Sequence, residues 1–364
     1  RDWYLREKEE LEQSLSVPRG ISELFLHRVH ARHLDLVCDL EDASEFTIVS
    51  TGEEIPDVIE ELLRYVSHRK TLSLMNFSDL RGIEFLSSVE VLQLGSLRST
   101  SFLGHLEMMA NLRVLHFCGL HTLGNLEDLD LSRMTQLRNI RLSECRARRL
   151  DLTGMNKKKS KIVLIDCDID AMIVGSSCSG KPGTPSIRLR SSHVGKIVCQ
   201  SEPSTKGLII LPKLDIHAVA ERKLQFPLLE SQEEEGQVLV EKLSLFPSFG
   251  NRVEDSYDLR TLEDSKIRPK SLLIMHFSGL QGAALPDLEY LNISVDRSVP
   301  EDFECLSQAP RLREVVIQRR PGALRDHFET VSEAFFNWGE PRGFKRIPHP
   351  SNIHDYMRKP DTNK

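Results

Sequence analysis

The feature that most constrains this chain is one phrase, Leu137-Arg138-Asn139-Ile140-Arg141-Leu142-Ser143-Glu144-Cys145. Ile140 and Leu142 have the period-two spacing of a strand that buries one face. The same frame recurs along the sequence as Ile21/Leu24/Leu26, Phe46/Ile48, Leu72/Leu74, Leu92/Leu94, Leu115/Phe117, Ile162/Leu164/Cys167, Ile187/Leu189, Leu208/Ile210, Leu243/Leu245, Leu272/Ile274, Leu291/Ile293 and Val315/Ile317. Units start near 21, 43, 69, 89, 112, 137, 159, 184, 205, 240, 269, 288 and 312, and most spacings run from 19 to 26 residues. A lone strand with one apolar face has nowhere to bury it. Stacked units join their strands into a parallel sheet and share one continuous core.

The pattern L-x-x-L-x-L-x-x-C with a period of about 20–29 residues is the leucine-rich-repeat signature. It predicts an α/β fold: a curved solenoid with a parallel β-sheet on its concave side and an irregular or helical convex side. The array of about 13 irregular units is expected over residues 21–320, after a lead-in or linker at 1–20. Insertions are expected near 212–238 and 248–266. There, Glu230–Gly236 and Asn251–Asp264 read as exposed loops. Among the return legs, Ile55–Val66 is the clearest helix. Pro56 suits a first helical position, and Val58, Ile59, Leu62, Leu63 and Val66 follow helical spacing. Residues 321–364 leave the frame and are expected to form a C-terminal cap, helical over Ala323–Trp338, with a partly disordered tail.

Composition narrows the function. The 364 residues carry a net charge of −6, which gives no global electrostatic case for nucleic acid. No apolar run approaches the length of a membrane span. The first residue is Arg, which predicts a fragment or processed product, and the charged start Arg1–Gln13 is no secretory signal. The seven cysteines are widely spaced with no CxxC pair, so neither a disulfide framework nor a zinc site is predicted. A reducing compartment follows, the cytoplasm first and the nucleus second. The sequons at Asn76 and Asn292 read as chance matches to a three-residue pattern.

No motif survives as a catalytic or cofactor site. Gly175-Ser-Ser-Cys-Ser-Gly180-Lys181 matches a phosphate-binding loop up to its lysine. Pro182 then stands where a magnesium-binding hydroxyl is needed, and Ser186–Arg190 reads as a strand rather than the required helix. His27, His30 and His33 lack an interleaved carboxylate or thiolate and read as a solvated set rather than metal ligands. Arg146-Ala147-Arg148-Arg149 and Lys157–Lys161 form a basic patch with few aromatics nearby, which reads as a solvated turn. There is no HExxH, nucleophile elbow or dinucleotide fingerprint. The chain is expected to be no enzyme and to use no cofactor or metal.

Binding remains. In an x-L-x-L-x strand, the residues that flank the buried pair face outward. These positions include Thr71, Ser73, Val91, Gln93, Val114, His116, Asn139, Arg141, Lys161, Val163, Ser186, Arg188, Arg190, Tyr290, Asn292 and Gln318. Asn139, Arg141, Lys161, Arg188 and Arg190, with His116 and Tyr290, are the candidate partner-binding residues. Their cations predict a positive strip that takes an acidic protein surface, with Arg141 and Arg188 as the main contacts.

The irregular unit lengths, the cysteine-ended units at 137–145 and 159–167, and the phrase Met134–Leu142 resemble the repeat region of plant intracellular nucleotide-binding leucine-rich-repeat disease-resistance receptors. The resemblance covers about residues 21–320. It implies a defence role: recognising a pathogen effector or a guarded host protein, and helping to autoinhibit a nucleotide-binding switch domain upstream of Arg1, which would then be an intramolecular partner. The alternative is the substrate-recognition repeats of an F-box-type ubiquitin ligase. Arg1–Gly20 is too short for an F-box, so that reading also needs sequence before Arg1.

Overall fold

The computed structural model describes residues 23–26, 45–50, 56–78, 80–97, 101–119, 126–155, 159–175, 184–200, 209–217, 226–232, 238–246, 261–275, 284–295, 304–319, 325–347 and 354–359. The chain forms two compact units, Arg1–Val174 and Gly175–Lys364. Each is built as a parallel β-solenoid with few helices. Among the described residues, no helix is long and apolar enough to cross a membrane.

In the first unit, the main sheet comprises β1 (Glu23–Leu26), β2 (Glu45–Ser50), β3 (Thr71–Met75), β4 (Val91–Gly95), β5 (Val114–Cys118), β7 (Asn139–Ser143) and β9 (Lys161–Ile165), side by side in that order. Register is strict. Leu72, Leu92, Leu115, Ile140 and Ile162 align across the strands, as do Leu74, Leu94, Phe117, Leu142 and Leu164. All of these are at most 1% exposed. The expected inward set at 92, 94, 115, 117, 140 and 142 therefore is the core. A one-residue slip would turn each of these side chains to water, so the alternation itself pins the register.

A sharp corner follows the strands. Asn76, Ser96, Glu144 and Asp166 have left-handed φ of 62°, 50°, 54° and 51°, and Gly119 holds the same place after β5 at 70°. The corner amides of Asn76, Ser96, Gly119 and Glu144 donate to the carbonyls of Gly95, Cys118, Ser143 and Ile165, each in the next repeat. These bonds offset the steric cost of left-handed backbone at non-glycine residues.

The return side changes along the first unit. After β2 it is the helix α1 (Pro56–Tyr65), whose Ile59, Leu62 and Leu63 are buried as expected, with Val66 buried just beyond its end. Next come 3₁₀ turns at Ile83–Phe85 and Ser101–Met108. It then becomes a second parallel sheet of β6 (Leu126–Asp130), β8 (Arg146–Leu152) and β10 (Asp168–Gly175). The expectation of an irregular or helical return side thus fails in these repeats. Leu129, Leu150 and Met172 instead align as a buried row on that sheet. The basic run Arg146–Arg149 accordingly lies in a strand and not in a turn. Arg148 pairs with Asp128 at 3.5 Å and Arg149 with Asp151 at 2.9 Å.

In the second unit, the main sheet runs β11 (Ser186–Arg190), β14 (Leu214–His217), β16 (Val238–Phe246), β17 (Arg268–Ile274), β18 (Tyr290–Val295) and β19 (Glu314–Arg319). Its return strands are β12 (His193–Gln200) and β15 (Leu228–Ser231), so Glu230 of the expected acidic loop lies in a strand. The unit placed at Leu208/Ile210 is corrected. Ile187 and Leu189 pair with Leu214 and Ile216. Pro212 lacks the N–H needed to continue a ladder. It separates β13 (Ile209–Leu211) from β14, and both pair with the long β16 in one register, Ile209 with Val238 and Leu214 with Leu243. The end of the second expected loop is the short helix α2 (Thr261–Asp264). A cap extends the sheet: helix α3 (Arg325–Gly339), then β20 (Lys345–Ile347) and β21 (His354–Arg358), with β21 antiparallel to β19. These strands lie in the segment expected to be a partly disordered tail. Met357 and Phe344 anchor them, both at most 3% exposed.

Candidate protein-recognition face

Period-two geometry turns the alternate residues of β3, β4, β5, β7 and β9 away from the core. One outward row is Thr71, Val91, Val114, Asn139 and Lys161, and the next is Ser73, Gln93, His116, Arg141 and Val163. Arg141 and Lys161 are exposed, and the other members of both rows, Asn139 among them, are half-buried. Asn139 stands directly beside Lys161, and Arg141 between His116 and Val163. Neither Arg141 nor Lys161 has a salt bridge among the described residues. Burial, and then the neighbouring Arg141 guanidinium, lower the His116 pKa below 6.5, so at neutral pH His116 is an uncharged imidazole. The first unit thus brings together four of the candidate residues as two cations, an amide and a neutral ring.

The second unit places Arg188, Arg190 and Tyr290, and there the arrangement differs. Arg188 lies beside Asp215 in register, and its Nε and Nη2 each donate to Asp215 Oδ2 at 3.3 Å. Lys213 Nζ sits 2.7 Å from the same oxygen. Asp215 is only 1% exposed although it faces outward. A buried carboxylate must be paired to be tolerated, so Arg188 and Lys213 are tied to the fold. Arg190 lies beside His217, whose ring stacks on Phe246 at 4.3 Å. Burial is the first cause lowering the His217 pKa, Arg190 lowers it further, and Asp215 opposes.

Tyr290 stands several strands from β11, beside Ser271 and Glu314. Its hydroxyl accepts a bond from Asn292 Nδ2 at 3.4 Å, and burial raises its pKa. It does not join Arg188 and Arg190 in one cluster. Lys213, Asp215, His217 and Phe246 were missed from sequence. Their signal, Leu214 and Ile216 two residues apart, was present but was displaced by the frame set on Leu208 and Ile210.

The phosphate-loop near-match at 176–181 and the histidines at 27, 30 and 33 lie outside the described residues, although Ser186–Arg190 is a strand. Among the described residues no group of three or more His, Cys, Asp or Glu stands together as a metal set. Cys145 and Cys167 are buried thiols that donate to main-chain carbonyls, Cys145 to Ser143 and Cys167 to Leu142 and Ile165. Cysteine at the end of the repeat phrase therefore serves the corner. Comparison of the chain with protein-family models and with curated proteins finds no match.

Proposed function

We propose that this chain is a leucine-rich-repeat recognition module that binds an acidic protein surface on the main sheet of its first unit. Arg141 and Lys161 carry this reading: exposed cations on adjacent strands, without a carboxylate partner among the described residues. Asn139 adds an amide between them, and Val163 and Val114 add apolar surface beside them. A fork-shaped guanidinium next to an ammonium suits a carboxylate, through charge-assisted hydrogen bonds. Arg188 drops out as a main contact because Asp215 already holds it.

The repeat phrases at 137–145 and 159–167 support placing the module in an intracellular plant immune receptor, in the cytoplasm or nucleus. There it reads a pathogen effector or guarded host protein and restrains an upstream nucleotide-binding switch. The module does this without catalysis, cofactor or metal. The test is selection from a random peptide-display library against the full chain. Acidic peptides are expected, and Arg141→Glu with Lys161→Glu weakens them by about tenfold or more. Selected peptides that are not acidic, or that bind the folded double variant equally well, refute the reading.

A further inference from the structure

Among the described residues, the main sheet ends on strand β20 of the C-terminal cap. Strand β20 pairs with β21 on one side, Lys345 with Arg358 and Ile347 with Tyr356, and no described strand pairs with its other side. All three of its residues are exposed, Ile347 at 39%. A strand edge of this kind presents main-chain N–H and C=O groups that can template another chain.

Its surroundings are cationic in a chain that is acidic overall. Lys345 and Arg346 lie on β20 itself, and Lys359 and Arg342 flank them, while Arg358, opposite Lys345, stands beside Glu314 of β19 on its other side. Several of these cations are held in place by rings. Arg346 Cζ lies 4.9 Å from the Phe336 ring centre, and Lys359 Nζ lies 4.8 Å from that of Phe344. Arg342 Cζ lies 4.8 Å from the Trp338 ring centre, and its Nη1 donates to the Trp338 carbonyl at 2.8 Å. Cations fixed before binding lose less entropy when they meet an anion. Trp338 and Phe344 are at most 8% exposed, so these rings serve the cations and offer no stacking platform for nucleic-acid bases.

From these observations we infer that the free edge of β20 accepts an acidic, extended segment of another protein as an added β-strand. Main-chain hydrogen bonds supply the attachment and the cations supply the selectivity. A second copy of this chain is disfavoured at the same edge, because Lys345 and Arg346 would face their own like charges. Consecutive strand residues point to opposite faces, so Lys345 and Arg346 flank the edge on both sides. The matching segment therefore carries consecutive acidic residues rather than alternating ones. This site uses none of the residues of the first-unit face.

The test uses the full chain and a blocked synthetic peptide, Thr-Val-Glu-Asp-Glu-Val-Thr, labelled for fluorescence anisotropy at low salt. In an added strand only every second amide faces the edge. N-methylation of one alternate set of peptide amides is therefore expected to weaken binding about tenfold or more, and methylation of the other set is tolerated. Measured in an Arg141→Glu, Lys161→Glu background, so that the first-unit face takes no peptide, Lys345→Glu with Arg346→Glu should abolish the remaining binding, and Lys196→Glu on β12 should leave it unchanged. Equal tolerance of both methylated sets, meaning attraction by charge alone, would overturn the inference. So would absence of binding by the unmodified peptide, or self-association of the chain that the peptide displaces.

Discussion

The two units present the same strand pattern to solvent and use their cations in opposite ways. In the first, Arg141 faces water between a neutral imidazole and a valine. In the second, Arg188 occupies the equivalent place between a strand's two buried residues, but the next strand supplies Asp215 beside it. Arg188 and Lys213 converge on that one buried carboxylate. The outward positions of a repeat are therefore not free by virtue of facing outward. What stands beside them in the next repeat decides whether a cation stays exposed or is tied into the fold. Asp287, buried in the turn before β18, repeats the lesson, with Arg268 at 2.6 Å and Arg311 at 3.1 Å from its carboxylate.

The largest effect should come from the core that underlies this contrast. Leu142 is 1% exposed, and Leu142→Asp would bury an unpaired carboxylate at a cost of several kcal/mol (about 3 or more). Loss of the first unit's far-UV circular dichroism and its protease resistance is expected. An unchanged melting temperature would mean that Leu142 is not in the core. Next comes the direct contrast between the cations. Arg188→Ala leaves the buried Asp215 with Lys213 alone and should destabilise by roughly 2 kcal/mol. Arg141→Ala should stay within about 0.5 kcal/mol, because it breaks no described ion pair. Chemical denaturation of the two variants checks both, and equal losses would erase the distinction between the units.

The repeat core was legible because a period of two and a recurring frame are direct signatures of burial. The outward face was half legible. Alternation tells which residues leave the core, and it placed Asn139, Arg141 and Lys161 correctly on one face. It cannot give the neighbour across the ladder, because that depends on the spacing of the next repeat. Pro212 disguised that spacing: the Leu208/Ile210 frame hid Asp215 and left Arg188 without its ion-pair neighbour. The return sheet was missed for a related reason. Arg146–Arg149 looks like a basic turn until Asp128 and Asp151 arrive beside it from neighbouring positions. The left-handed corners were also invisible, since Ser96, Glu144 and Asp166 fill places where glycine would have been the signal.

A smaller effect tests those corners. Gly119 has φ of 70°, and Gly119→Ala should cost about 1–2 kcal/mol in thermal denaturation. A neutral result would mean that the corner relaxes without its left-handed backbone.

The smallest effect is in the histidines, one on each face. Both folded-state pKa values lie below the ordinary 6.5. The unfolded chain then binds more protons below that pH, so stability should fall as pH drops through about 6.5 and below. In an NMR titration Arg141→Gln should raise the pKa of His116, by removing one of its two lowering causes, and leave that of His217 in place. Parallel movement of both would show that Arg141 does not act locally.

The central claim is that the recognition face belongs to the first unit, around Arg141 and Lys161. Hydrogen exchange of the full chain with and without a library-selected acidic peptide tests it most directly. Slowed exchange is expected in β7 and β9, over Asn139–Ser143 and Lys161–Ile165, with β11 and β14 unaffected. Protection confined to β11, β14 or β18, with β7 and β9 unchanged, would contradict it.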